Sequence, residues 1–123
     1  MKQINLVQTE DTPKVVFDGQ NGVFEISGRS MPEDTAKFYL PLIEWLMEYS
    51  KAPIEISHFT FHFEFMSTST TKQMMKLFFA IEQISKNKKV EVIWNYDKGD
   101  INMKRSGELL QKLVTFKVEY KSV

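Results

Sequence analysis

The run "FEFMSTSTTKQMMKLFF", residues 63–79, sets five hydroxyl residues in a row, Ser67, Thr68, Ser69, Thr70 and Thr71. An alternating phenylalanine segment precedes them and an amphipathic helical pattern follows. One side-chain oxygen suffices to cap the first N–H groups of a helix. The others stand where free backbone N–H groups and the positive helix end favour an anion. A phosphate ester there adds about −1.5 to −2 charges and three acceptor oxygens. A phosphoacceptor at this strand–helix junction is therefore physically sensible, beside the plainer reading of a generous N-cap.

Other reactive side chains form weaker sets. His58, His62 and Glu64 share one strand face, but residues four apart on a strand are separated by about 13 Å, too far for one metal ion. They read as surface histidines, and no metal or cofactor is expected. Glu25, Glu55, Glu64 and Glu91 are isolated strand acids, and "DKGD", 97–100, is a polar turn. No glycine loop has phosphate-cradling spacing, and no G-x-S-x-G elbow is present. Met66, Met74, Met75, Met103, Trp45 and Trp94 read mainly as core, and "KNKK" as a solvated helix end.

These residues need a scaffold. Residues 3–8 suit a short edge strand; 13–18 and 23–28 form a hairpin about "GQNG", where Gly19, Asn21 and Gly22 tolerate positive φ. Ser30 and Glu33 have capping-box spacing, Pro32 suits a first turn, and apolar periodicity gives helix 1 over 32–50, kinked or split by Pro41. In the strand 54–65, Phe59, Phe61, Phe63 and Phe65 occupy one face and His58, Thr60, His62 and Glu64 the other. Helix 2 covers 68–86, with Met74, Met75, Leu77, Phe78, Ile81 and Ile84 inward. A strand over 90–96, helix 3 over 101–113 and a strand over 115–120 complete the order. Alternation on the central strand implies helices mainly on one face of a mixed α/β sheet.

The bulk composition agrees. The 123 residues suit a single domain, 1–123, and are 42% hydrophobic with zero formal net charge and no cysteine. Neutrality removes the electrostatic case for nucleic acid or an anionic membrane. Lack of cysteine excludes disulfides and thiolate chemistry. No apolar run reaches membrane-spanning length, and no secretory h-region opens the chain, so a cytoplasmic location is expected.

The order "TP…FD…G…I…GRSMPED…FY.P…WL..Y", then "TSTTK" opening a helix, then "W.Y..GD", resembles the SiaC-like bacterial regulatory phosphoproteins, which are related in fold to STAS domains. The similarity spans about residue 9 to about 108, with "GRSMPE" and "FYLPLIEWL" its most specific parts. The resemblance implies a STAS-like fold and a non-enzymatic partner switch. In such a system a Ser/Thr protein kinase phosphorylates the threonine opening helix 2 and a PP2C-type phosphatase reverses it. The unphosphorylated form regulates a downstream partner such as a diguanylate cyclase. The family's Asn-Thr-Ser-Ser stretch aligns with Ser67-Thr68-Ser69-Thr70, which implies Thr68 as phosphoacceptor, with Ser67 and Ser69 as neighbouring candidates. Ser67 replaces the family's asparagine, and "DKGDIN" is less acidic than the family's turn. The resemblance further implies a partner surface of Arg29, Ser30, Met31, Met66, Thr70 and Lys72.

Two other readings stay open at this level. One is a structural or scaffolding domain whose hydroxyl run is only a cap. The other is a small enzyme, for which no nucleophile–base set is visible.

Overall fold

The computed structural model describes residues 1–123 and has one six-stranded sheet whose spatial order is the chain order. Strands β1 (Ile4–Leu6), β2 (Lys14–Asp18) and β3 (Val23–Ser30) pair antiparallel; β3, β4 (Ile56–Met66), β5 (Lys89–Tyr96) and β6 (Val118–Ser122) pair parallel. Helices α1 (Thr35–Tyr49), α2 (Thr68–Ser85) and α3 (Ile101–Gln111) make the three crossovers. Such crossovers are right-handed, so three that advance in one direction across the sheet put every helix on one face. Burial agrees. Phe24, Ile26, Phe59, Phe61, Phe63, Val92, Trp94 and Val118 are buried beneath the helices. On the bare face, His58 pairs with Glu91 at 3.3 Å and His62 with Asp97 at 2.8 Å, so each histidine has its own carboxylate.

The helices reach the sheet through aromatics. Phe24 and Phe59 stack at 4.4 Å across the β3–β4 junction. Trp94 is fully buried against Phe61, Phe63 and Phe78, and its indole N–H donates to the Met103 carbonyl at 3.0 Å.

Several local expectations are corrected. Helix α1 starts at Thr35 and is capped by Asp34, which accepts from the Lys37 N–H at 3.1 Å; Ser30 instead ends β3 and is buried. Long-range pairing of Ser30 with Met66 prevails over the capping-box spacing. Pro41 neither splits nor ends α1. It lies on the exposed flank, so the Lys37 carbonyl it cannot serve is left on the solvent side. In the hairpin only Gly22 has positive φ, at 70°; Asn21 does not.

The fourth phenylalanine of the alternating run, Phe65, is 43% exposed, unlike its three buried companions. Gly28 pairs with Phe63 but Arg29 with Phe65, so Glu64 is an extra residue in β4. That bulge reverses the alternation and turns Phe65 to the bare face beside Arg29. Met75 of α2 is also exposed, at 40%.

The α3–β6 connection is fastened to α2 by Glu82, whose carboxylate accepts from the Thr115 hydroxyl at 2.7 Å and from its N–H at 3.0 Å. Partial burial pushes the Glu82 carboxyl up, but the Thr115 hydroxyl and N–H, with Ser85 and the Phe116 N–H, outweigh it and hold the group below the usual range. A carboxyl depressed in the folded state contributes stability above its unfolded value of 4.5, and that contribution is lost as pH falls through the folded value. Thermal melts between pH 5 and 3 should therefore fall less steeply for Glu82→Gln than for wild type; parallel curves would remove Glu82 from the acid response.

Candidate functional site

Three segments meet at the C-terminal edge of the parallel strands: the end of β3, the start of α1 and the β4–α2 junction. The Ser67 N–H donates to the Ser30 carbonyl at 2.9 Å, continuing the β3–β4 pairing into the turn. The "GRSMPED" loop and the hydroxyl run thus open on the same edge of the sheet.

The five hydroxyls have different partners. Ser67 is the N-cap: its Oγ accepts from the Thr70 N–H at 3.2 Å and its carbonyl from the Thr71 N–H at 3.0 Å. Thr71 Oγ1 donates back to that carbonyl at 3.3 Å. Thr70 is fully buried, and its hydroxyl donates to the Ser30 carbonyl at 3.1 Å. Its one proton being so placed, Thr70 Oγ1 accepts from Ser30 Oγ at 2.9 Å, and Ser30 Oγ in turn accepts from the Tyr39 hydroxyl at 2.6 Å. Burial pushes the Tyr39 phenol well above its ordinary value, although the Ser30 contact opposes this, so the proton that begins the chain is retained. Ser69 is exposed but tied sideways, 2.8 Å from Thr35 Oγ1 and 3.2 Å from Ser67 Oγ.

Thr68 differs from all of these. It is the first residue of α2, it is exposed, and its hydroxyl has no hydrogen-bond partner within the chain. It stands at the positive end of an 18-residue helix. Lys72, one turn further on the same side, is exposed and takes part in no ion pair. An anion attached at Thr68 meets a favourable local field without displacing any existing bond.

The residues suggested for partner contact divide by burial. Ser30 and Thr70 are 0% exposed and present nothing to a partner; they brace the site from beneath. Arg29, Met31 and Met66 are half-buried and Lys72 is exposed. The Arg29 guanidinium lies 5.4 Å from the centroid of the Phe65 ring, with Met31 Sδ at 3.9 Å.

Sequence reasoning missed Thr35 and Tyr39, which join the network from a separate helix and carry no local signal. It also missed the outer line of α2. Thr68, Lys72, Met75 and Phe79 recur at i, i+4, i+7 and i+11, and Phe79 is 55% exposed. This line was readable as the helical phase opposite Thr70, Met74, Leu77 and Ile81.

Residues 6–123 match the family described as SiaC family regulatory phosphoprotein. An uncharacterized protein of Pseudomonas aeruginosa (strain UCBPP-PA14) is 24% identical over 102 residues, covering 80% of this chain and 79% of its own length. The crystal structure of apo-SiaC from Pseudomonas aeruginosa superposes with a TM-score of 0.88 at 21% identity, covering 98% of this chain and 99% of that one. A chain in the crystal structure of the Pseudomonas aeruginosa diguanylate cyclase SiaD in complex with its activator SiaC gives 0.89 at 20% identity, with 98% and 99% covered. At these identities the solved structures establish the mixed α/β fold alone.

Proposed function

Because this chain belongs to the SiaC family of regulatory phosphoproteins, we propose that it is a non-enzymatic partner switch set by phosphate on Thr68. Residues 1–123 act as one cytoplasmic unit. The unphosphorylated chain binds and regulates a diguanylate cyclase, by analogy with SiaC of Pseudomonas aeruginosa, the activator of the cyclase SiaD. A Ser/Thr protein kinase adds the phosphate and a PP2C-type phosphatase removes it.

The observation that carries this reading is the free hydroxyl of Thr68, alone among five in having no partner inside the chain. A capping role needs only Ser67, so the scaffolding alternative leaves Thr68 without a task. Exposed Lys72 and half-buried Arg29, Met31 and Met66 belong to the contact surface around it; Ser30 and Thr70 hold its geometry.

The test is affinity capture from the source cells with wild type, Thr68→Ala and Thr68→Asp as baits, read by mass spectrometry. Wild type and Thr68→Ala should retain a cyclase, Thr68→Asp should lose it, and phosphopeptides from wild type should map to Thr68. The same partners on all three baits, with no phosphate on recovered chain, would favour the scaffold.

A further inference from the structure

Helix α2 turns core-type side chains directly away from the core. Phe79 is 55% exposed and Met75 40%, on the line that begins at Thr68 and passes through Lys72. Single exposed apolar residues are ordinary, but two neighbours on one crest, one turn apart, form a continuous strip. The strip is also cationic. Lys72 and Lys76 are exposed and form no ion pair, while the helix's one acid, Glu82, is committed to Thr115. On a chain of zero formal net charge, this crest is both apolar and locally positive.

We propose that the effector grips α2 by this crest, through an apolar cleft with an acidic rim, and that Phe79 is the principal anchor. The inference rests on the cyclase reading and adds the recognition surface to it. A helix held in a groove presents anchors at this spacing, and a large aromatic seated in a partner pocket carries a disproportionate share of binding. The acidic rim is the complement of Lys72 and Lys76. It also gives the phosphate a direct effect. A doubly charged group at Thr68 faces the rim with like charge and draws Lys72, four residues on, into a pair within the helix.

The experiment titrates each diguanylate cyclase encoded in the same genome with the full chain as wild type, Phe79→Ser, Lys72→Glu and Leu109→Ser. Leu109, 59% exposed on α3, is the control for loss of a surface apolar group elsewhere. Phe79→Ser should weaken binding at least tenfold and Leu109→Ser less than twofold. Wild-type affinity should fall as salt is raised, and Lys72→Glu should bind more weakly with a flatter salt dependence. A cyclase that binds wild type and Phe79→Ser alike overturns the crest and leaves the cyclase reading standing. Failure of every cyclase to bind wild type overturns both. Self-association of wild type that Phe79→Ser abolishes would assign the crest to a second copy and overturn the effector as its occupant.

Discussion

Stoichiometric phosphate on Thr68 should weaken effector binding about a hundredfold or more while moving the unfolding midpoint by only a few degrees. The asymmetry follows from where the charge lands. Inside the chain it meets a helix N-terminus, where an anion stabilises by about 0.3–1 kcal/mol, and Lys72 adds a few tenths more at i+4. In a domain of this size that corresponds to a rise of about 2–6 °C. Across a contact the same group must be desolvated against whatever faced a neutral hydroxyl, a cost of about 3 kcal/mol or more, and about 2.7 kcal/mol is a hundredfold in affinity. The measurement is calorimetric titration of kinase-treated chain, with phosphate content fixed by intact mass. Full labelling of Thr68 with unchanged affinity would sink the switch. Label on Ser67 or Ser69, with Thr68→Ala still fully phosphorylated, would move the site by one residue and leave the mechanism.

Gly107→Val should lower stability by about 3 kcal/mol, or about 12 °C in midpoint. Gly107 packs against the indole of Trp94, and a Cβ there would lie 2.7 Å from Cδ1 and Nε1 and 2.8 Å from Cγ. The ring has no room to retreat: it is 0% exposed, held by its bond to the Met103 carbonyl and wedged among Phe61, Phe63 and Phe78. Gly107→Ala recovers about 1 kcal/mol in helix preference and so should cost less, whereas valine adds two more methyl groups to the same overlap. Gly99→Ala is the contrast. At φ +89° with nothing within 4 Å, it meets backbone strain but no clash. Equal melting curves for wild type and Gly107→Val would show that the α3–β5 contact yields more easily than this packing implies.

The sheet, its three crossovers and the face that the helices cover were legible because they depend on periodicity, which each segment carries within itself. Phe59, Phe61 and Phe63 obey the two-residue alternation and are buried accordingly. Phe65 does not, because one extra residue opposite Arg29 resets the count, and a bulge is a property of two strands together. Ser30 departs from its local pattern for a related reason. Its spacing to Glu33 is that of a cap, but the β4 partner that captures it lies 36 positions away in Met66. The site divides in the same way. Ser67 as cap was open to inspection, since capping is a matter of residues within one turn of each other. Thr35 and Tyr39 join through packing of α1 on α2 and β3, which no spacing announces.

The spatial order of the strands, identical to their order in the chain, bears on how the molecule is made. As the polypeptide leaves the ribosome, each strand finds its neighbour already present, and no later strand has to be threaded between two earlier ones. The nascent sheet has one growing edge, from β3 outward, and each helix arrives in time to cover the strand laid before it. Beside the fixed outer edge of β1, an unfinished chain therefore exposes a single growing edge at any stage, which limits the opportunity for two nascent chains to pair wrongly. The edge that remains is β6, with Glu119 and Lys121 exposed upon it, charges that discourage a seventh strand from any other molecule.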